Sequence, residues 1–166
     1  MKESTNIDFL DLNEQELNYI LKILRKYLMG IVISKTSGSI LYHFEVDHSI
    51  NTDLFSQFIA ALAMFGEELG NIRRILIEGL NLEMNSLVKN NLIITAFFRP
   101  DMVTDYLEEE ASKCLDEFSE KFADQLEKDR CNQDIYKCFD KNMWELIQDY
   151  LIRIGAFDLE FFHFTR

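Results

Sequence analysis

The chain has 166 residues, of which 48% are hydrophobic, with 14 Phe and 6 Tyr but only one Pro. This length and composition fit one packed domain and exclude a largely disordered chain. The 17 basic and 29 acidic residues give a formal charge of −12. That charge argues against binding to nucleic acid or to an anionic membrane, because both need a basic protein surface.

The first part of the chain predicts a helix followed by a β-hairpin. Apolar residues recur at helical spacing within Leu12–Leu28, and Asn13 followed by Glu16 resembles a capping box at the start of that helix. The hairpin is predicted over Met29–Val46, with a turn that contains Gly38. Glycine suits such a turn because it adopts a positive φ without steric cost.

A second helix, predicted over Thr52–Leu69, carries an unusually broad apolar face. The residues of that face are Leu54, Phe55, Phe58, Ile59, Leu62, Phe65 and Leu69. Two interpretations remain open from the sequence: the face packs on a sheet, or part of it is a surface for a protein partner.

Three strands are predicted next, over Ile72–Glu78, Leu80–Lys89 and Leu92–Phe98. The alternation of Leu80–Lys89 predicts one buried and one exposed face. Asn90 and Asn91 suit a two-residue hairpin turn, because Asn tolerates left-handed backbone geometry. The nearly continuous apolar run of Leu92–Phe98 predicts a central strand that is covered on both faces.

The last third predicts a long helix over Asp101–Leu126, a further helical region that ends near Gly155, and a Phe-rich tail over Ala156–Arg166. Residues 101–130 contain 11 acidic and 4 basic side chains, which predicts a solvated helix face or, alternatively, a docking surface for a basic partner. The tail is expected to fold back on the domain as a strand or cover. Its alternative role is to bind a partner or to swap between subunits of a dimer.

Histidine and cysteine are few in this chain, whereas carboxylates are abundant but show no arrangement that converges on one site. The histidines and cysteines are His43, His48, His163, Cys114, Cys131 and Cys138. None follows a metal-ligand or disulfide-framework spacing, and no phosphate-binding or nucleophile motif is found. We therefore predict no catalytic residue, cofactor or metal site, and no enzymatic activity. The polar first residues and the lack of an apolar run of about 18 residues predict a cytoplasmic protein without an integral membrane segment.

The order helix–β–β–helix–β–β–β–helix resembles that of roadblock/dynein light-chain domains and of the related longin domains. The segment GIVISKTSGSILYHFEV looks like their opening hairpin, and LFSQFIAALAMFGEELG looks like the helix that follows it. The leading helix is roadblock-like, whereas a helix after residue 126 is longin-like. The resemblance implies a single α+β domain, a profilin-like α/β/α module with a five-stranded antiparallel sheet flanked by helices, with a core over 13–126 and an extension over 127–166.

The resemblance also implies a function. Roadblock domains are non-enzymatic modules that dimerise through the central helix and the strand after it, and the combined surface typically binds a small Ras-like GTPase. This chain is accordingly predicted to be a GTPase regulator or scaffold that forms a homodimer, or a heterodimer with a related domain. The alternatives are a longin-type subunit of a vesicle-trafficking or tethering complex, and a small-molecule sensor of the profilin or PAS-like kind. The predicted interface residues are Leu54, Phe55, Phe58, Leu62, Phe65, Ile72, Arg74, Phe161 and Phe164.

Overall fold

The computed structural model describes residues 13–46, 51–68, 71–100 and 106–156. Its elements are α1 (Glu14–Tyr27), β1 (Leu28–Lys35), β2 (Ile40–Glu45), α2 (Thr52–Glu68), β3 (Arg74–Glu78), β4 (Glu83–Lys89), β5 (Leu92–Phe98), α3 (Leu107–Lys121), α4 (Ala123–Glu127), a 3-10 helix (Gln133–Phe139) and α5 (Asp140–Arg153). The predicted tail after Ala156 lies outside the described residues, as do His48 and His163.

The strands form one antiparallel sheet in the order β2-β1-β5-β4-β3. All residues of the central strand β5 are buried, as its apolar run predicted. The helix α2 packs on one face of the sheet, and α1, α3 and α5 pack on the other. The predicted α+β architecture, a five-stranded antiparallel sheet flanked by helices, is confirmed.

Local sequence signals explain several boundaries of these elements. The Asn13 side chain accepts a hydrogen bond of 2.8 Å from the backbone N–H of Glu16, which begins α1. Gly38 has a φ of 101° in the β1–β2 turn, and Asn90 and Asn91 have φ values of 56° and 60° in the β4–β5 turn. Positive φ at both central residues is the geometry of a type I′ hairpin turn.

The prediction of one continuous helix over Asp101–Leu126 is wrong. Tyr106 has a φ of 65°, and α3 begins only after it, whereas residues 101–105 lie outside the described part of the chain. At the other end, Phe122 leaves helical geometry with a φ of −113°, and α4 follows as a separate helix. The Phe122 ring is buried 4.8 Å from the Phe118 ring, so the break coincides with packing in the aromatic core.

The predicted strand Leu80–Lys89 is also corrected in two respects. The strand begins only at Glu83, because the Gly79 N–H donates a 2.8 Å hydrogen bond to the Leu82 carbonyl and closes a tight turn. Both faces of β4 are covered rather than one: Met84 is buried on the α2 side, and Leu87 is buried on the opposite side.

The segment after residue 126 is part of the larger apolar core. Tyr136 and Phe139 of the 3-10 helix lie with their rings 5.4 Å and 5.0 Å from that of Phe118 on α3. The buried Tyr42 of β2 donates a hydrogen bond of 2.6 Å to Asp140 at the start of α5. The extension therefore stabilises the same face of the sheet that α1 and α3 cover.

Candidate protein-interaction site

The broad apolar face of α2 is divided between the core and solvent. Ile59 and Ala63 are buried against the sheet. Leu54, Phe58 and Phe65 are 60%, 50% and 64% exposed. Their spacing of four and seven residues aligns these three side chains along one side of the helix, and we call them the α2 stripe.

The α2 stripe points away from the sheet, because its side chains lie on the far side of the helix from the buried Ile59 and Ala63. The side that carries Ala60 approaches the β1–β2 hairpin, since a Cβ placed on Gly38 would lie 3.5 Å from the Ala60 Cβ. Met64, which is 56% exposed, lines an open groove of about 620 Å³ between α2 and the turn of that hairpin. The groove and the α2 stripe thus lie on different sides of the helix.

The strand β3 is an edge strand and exposes an apolar side chain. Leu76 at its centre is 54% exposed on the face opposite α2. The other edge strand, β2, differs: its exposed side chains are His43 and Glu45, and its Phe44 ring packs 4.8 Å from the Trp144 ring. Exposed apolar surface on an unpaired edge favours association with another chain.

Charged residues occupy both ends of β3. Arg74 donates to Glu108 of α3 over 3.1 Å, and the neighbouring Arg73 contacts the same carboxylate. Glu78 at the other end lies directly opposite Glu83 of β4 in the sheet register. Like charges at directly opposed positions destabilise a strand pair, and within the described residues neither carboxylate forms an ion pair with a cation. The edge thus has an arginine at one end and, at the other, two acidic residues that have no cation partner among the described residues.

The residues that the sequence predicted as an interface fall into different environments. Phe55 and Leu62 are half-buried and pack on the α2-side core, with the Phe55 ring 5.7 Å from the Phe97 ring. Ile72 is half-buried and precedes β3. Phe161 and Phe164 lie outside the described residues. Sequence reasoning missed Leu76, although three consecutive apolar residues in an edge strand already place at least one on each face.

The described part of the C-terminal extension leaves the α2 stripe and β3 open. The start of α5 packs against β2, and its end contacts the start of α3, where Arg153 donates to Glu109 over 2.7 Å and to Glu110 over 2.8 Å. The Arg153 guanidinium also lies 4.4 Å from the centre of the Tyr106 ring. These contacts hold the extension on the face of the sheet opposite α2.

Apart from the open groove beside Met64, the described residues enclose little space for a small molecule. An apolar cavity of about 60 Å³ lies between α1, α3, α5 and the sheet. Among the described residues, no group of three or more His, Cys, Asp or Glu side chains is placed to hold a metal ion. No helix in the described ranges is long and apolar enough to span a bilayer.

Comparison with known proteins identifies similar structures but no related sequence. No protein-family model matches the chain, and no curated protein matches it significantly. MglB of Myxococcus xanthus superposes with a TM-score of 0.50 at 11% identity, over 68% of this chain and 99% of MglB. A roadblock/LC7 domain from Streptomyces avermitilis gives a TM-score of 0.46 at 11% identity, over 55% of this chain and 84% of that domain. The superposition on MglB shows a shared fold, and the predicted roadblock/longin-like α+β fold is confirmed.

Proposed function

We propose that this chain is a non-enzymatic regulatory or scaffolding module that binds a small Ras-like GTPase in the cytoplasm. The observation that carries the proposal is the α2 stripe: three large apolar side chains stay exposed along one side of a helix on a roadblock fold. Side chains of this kind contribute most of the energy of protein interfaces when they are buried by a partner. The roadblock resemblance supplies the class of partner.

The α2 stripe and β3 act together in this proposal. The stripe exposes apolar side chains on the outer side of α2, and the edge strand β3 adds unpaired backbone groups and the exposed Leu76. A partner that binds here gains both apolar contact and strand pairing, and strand addition is a common mode of recognition. Dimerisation through this surface, with a copy of the chain or with a related domain, forms the larger platform for the GTPase.

A small-molecule sensor fits the described residues less well. Enclosed pockets for small molecules usually have volumes of about 300–1,000 Å³, whereas the internal apolar cavity measures about 60 Å³. The groove of about 620 Å³ beside Met64 is open to solvent and lined partly by polar side chains. A scaffold in a vesicle-trafficking or tethering complex uses the same kind of surface as a GTPase regulator. The partner recovered in the experiment distinguishes these two functions.

The test is to capture GTPases from native lysate on the purified, immobilised protein. One portion of the lysate is supplemented with GDP, and a parallel portion with a non-hydrolysable GTP analogue. Each GTPase identified by mass spectrometry is then purified, and its binding is measured directly by calorimetry. We expect one small GTPase to bind with a preference for one nucleotide state.

A matched pair of variants controls this experiment. Phe58→Asp places a charge in the α2 stripe, whereas Met64→Asp places the same charge at a similarly exposed position outside the stripe, in the groove beside the β1–β2 turn. The proposal requires that Phe58→Asp lowers GTPase binding and that Met64→Asp preserves it. The absence of any small GTPase in both nucleotide states, or equal binding by the two variants, would overturn it.

A further inference from the structure

One side of the edge strand β3 has free backbone hydrogen-bonding groups. The Arg73 carbonyl accepts a 2.8 Å hydrogen bond from the Val88 N–H of β4, and the Gly79 N–H donates a 2.8 Å hydrogen bond to the Leu82 carbonyl. In an antiparallel ladder, residues that bond to one neighbour alternate with residues whose N–H and C=O groups point the other way. The residues of β3 that point to the free edge are therefore Arg74, Leu76 and Glu78.

The two ends of this edge carry charges that the described residues do not balance. At the start of β3, Arg73 and Arg74 share the single carboxylate of Glu108, which leaves one positive charge in excess. At the other end, Glu78 and Glu83 lie opposite each other without a cation partner among the described residues. A strand that complements this edge therefore has acidic residues near the start of β3 and a basic residue at its end.

The chain leaves α5 on the face of the sheet where β3 exposes its leucine. Ala156 packs against the larger core on the face opposite α2, and Leu76 is exposed on that same face. Arg153 donates to Glu109 in the first turn of α3, and the preceding Glu108 contacts the start of β3. The residues that follow Ala156 therefore begin beside the part of α3 that contacts β3, and they need not cross the sheet to meet it.

The ten residues after Ala156 lie outside the described part of the chain, and their sequence complements the edge of β3. Asp158 and Glu160 come first, three phenylalanines follow, and Arg166 comes last. Ten extended residues span roughly 33 Å, whereas the five residues of β3 extend over roughly 17 Å. The segment is thus long enough to pass the start of α3 and then to follow β3 along its whole length.

Resting on the proposed function, in which a partner binds the edge of β3, we propose that residues 157–166 pair with this edge in the same chain. The segment forms a sixth strand that runs parallel to β3, because it meets β3 first at its start. Sheets that contain both parallel and antiparallel neighbours are common. The bound segment withholds the edge from a partner, so association with another chain requires its release.

The charges select the register of this added strand. Arg166 lies beside Glu78 and supplies the cation that the acidic end of β3 lacks, while Glu160 stays close to the two arginines at the start. Phe164 then lies beside Leu76 and covers its exposed side chain. The opposite direction would bring Arg166 to the arginines, and a shift by one residue would turn Phe164 to the face opposite Leu76. Neither alternative balances the charges and covers the leucine.

The first test reads this register by disulfide formation within one molecule. In a background with Cys131→Ser and Cys138→Ser, which removes the two exposed thiols, Leu76→Cys combined with Phe164→Cys is oxidised mildly in dilute solution. Neighbouring strands lie about 4.8 Å apart, within the Cα range for a disulfide. We expect a disulfide within the monomer, identified by mass spectrometry. The matched control, Ile77→Cys with Phe164→Cys, places the thiols on opposite faces and should stay reduced.

The second test measures hydrogen–deuterium exchange of the Leu76 and Glu78 amides at a protein concentration at which the chain is monomeric. Both amides point to the free edge, and we expect them to be protected in the wild-type chain. Arg166→Glu opposes like charges and should speed their exchange about tenfold or more. Combining Arg166→Glu with Glu78→Arg restores the attraction and should restore the protection. Thr165→Glu adds a charge on the other face of the segment and is the matched control, which should stay protected.

Release of the segment should also strengthen binding of a partner. Phe164→Asp removes the contact with Leu76 without altering α2 or β3, so it should recover more GTPase than the wild-type chain in the capture experiment of the proposed function. A segment that occupies the edge in about nine of ten molecules weakens the apparent affinity of a partner about tenfold. Its release restores that factor.

The outcomes separate this inference from the proposed function. A disulfide that joins two molecules, or unprotected Leu76 and Glu78 amides in the wild-type monomer, overturns the pairing. Protection that survives Arg166→Glu assigns the cover to another segment and overturns it as well. Equal capture of a GTPase by the wild-type chain and by Phe164→Asp overturns the competition but leaves the proposed function standing. A disulfide within the monomer without capture of any small GTPase supports the pairing and overturns the proposed function.

Discussion

The substitution Phe58→Asp tests whether the α2 stripe is an interface or an accessory part of the core. Burial of a whole Phe side chain is worth about 1.5–3 kcal/mol, and half of this side chain is exposed in the single chain. Each copy of a dimer would thus lose about 1 kcal/mol of apolar burial, and two copies would lose about 2 kcal/mol. That loss corresponds to an increase of about 30-fold in the dissociation constant, and desolvation of the new carboxylate adds to it.

The same substitution should change the stability of the monomer very little. Neither apolar core of the described residues includes Phe58. We therefore expect the free energy of unfolding, measured by urea titration with circular dichroism at low protein concentration, to fall by no more than about 1 kcal/mol. Phe55→Asp, by comparison, removes a ring that packs 5.7 Å from Phe97 and should destabilise the monomer.

The assay for association is sedimentation velocity, with Met64→Asp as the control for a charge on α2 outside the stripe. We expect Phe58→Asp to dissociate the dimer at concentrations at which the wild type and Met64→Asp remain dimeric. Two results would refute the reasoning: a folded Phe58→Asp dimer of unchanged affinity, or a Phe58→Asp monomer that no longer folds. The second result would mean that this side of α2 belongs to the core.

Three further predictions concern stability. Ser86 and Thr95 have buried hydroxyls whose oxygens lie 2.9 Å apart beneath α2. Ser86→Ala or Thr95→Val alone removes one of them and should lower the free energy of unfolding in urea by about 1–3 kcal/mol. The double variant should lower it by less than the sum of the two single effects. Burial raises the pKa of the Cys114 thiol above its ordinary value of 9.0, so the folded chain retains a proton that the unfolded chain loses as the pH rises. Stability should therefore decline above about pH 9, and urea midpoints should show a shallower decline for Cys114→Ala. Gly38→Ala introduces a side chain at a φ of 101° and should lower the unfolding free energy by about 1–2 kcal/mol, which an unchanged melting temperature would contradict.

The sequence predicted those features that short-range interactions determine. The cap at Asn13, the positive φ of Gly38 and the type I′ turn at Asn90 and Asn91 each depend on a few neighbouring residues. The central position of β5 follows from its continuous apolar run, because only a strand covered on both faces can bury every side chain. Together these local signals predict the order of helices and strands, and that order predicts the fold.

Features that depend on the arrangement of whole elements could not be predicted. The apolar residues of α2 cover more of its circumference than the sheet can bury, and only the position of the helix over β1 and β5 decides that Phe55 is half-buried and Phe58 exposed. The helix break at Phe122 depends on rings from the 3-10 helix, which follow later in the chain. The exposure of Leu76 required the strand order, which places β3 at the edge.

The position of the C-terminal extension decides whether a roadblock-type surface is available in this chain. An extension over α2 or along β3 would block it, but the described part packs against β2 and α3 and adds Tyr136 and Phe139 to the core. The described part of the extension therefore adds to the core on the face of the sheet opposite α2 and leaves α2 open. Substitutions in the aromatic cluster should unfold the chain, whereas substitutions in the α2 stripe or along β3 should separate folded subunits. We therefore expect the exposed α2 stripe and the edge strand β3 to associate with another chain, because exposed apolar surface and an unpaired strand edge favour association.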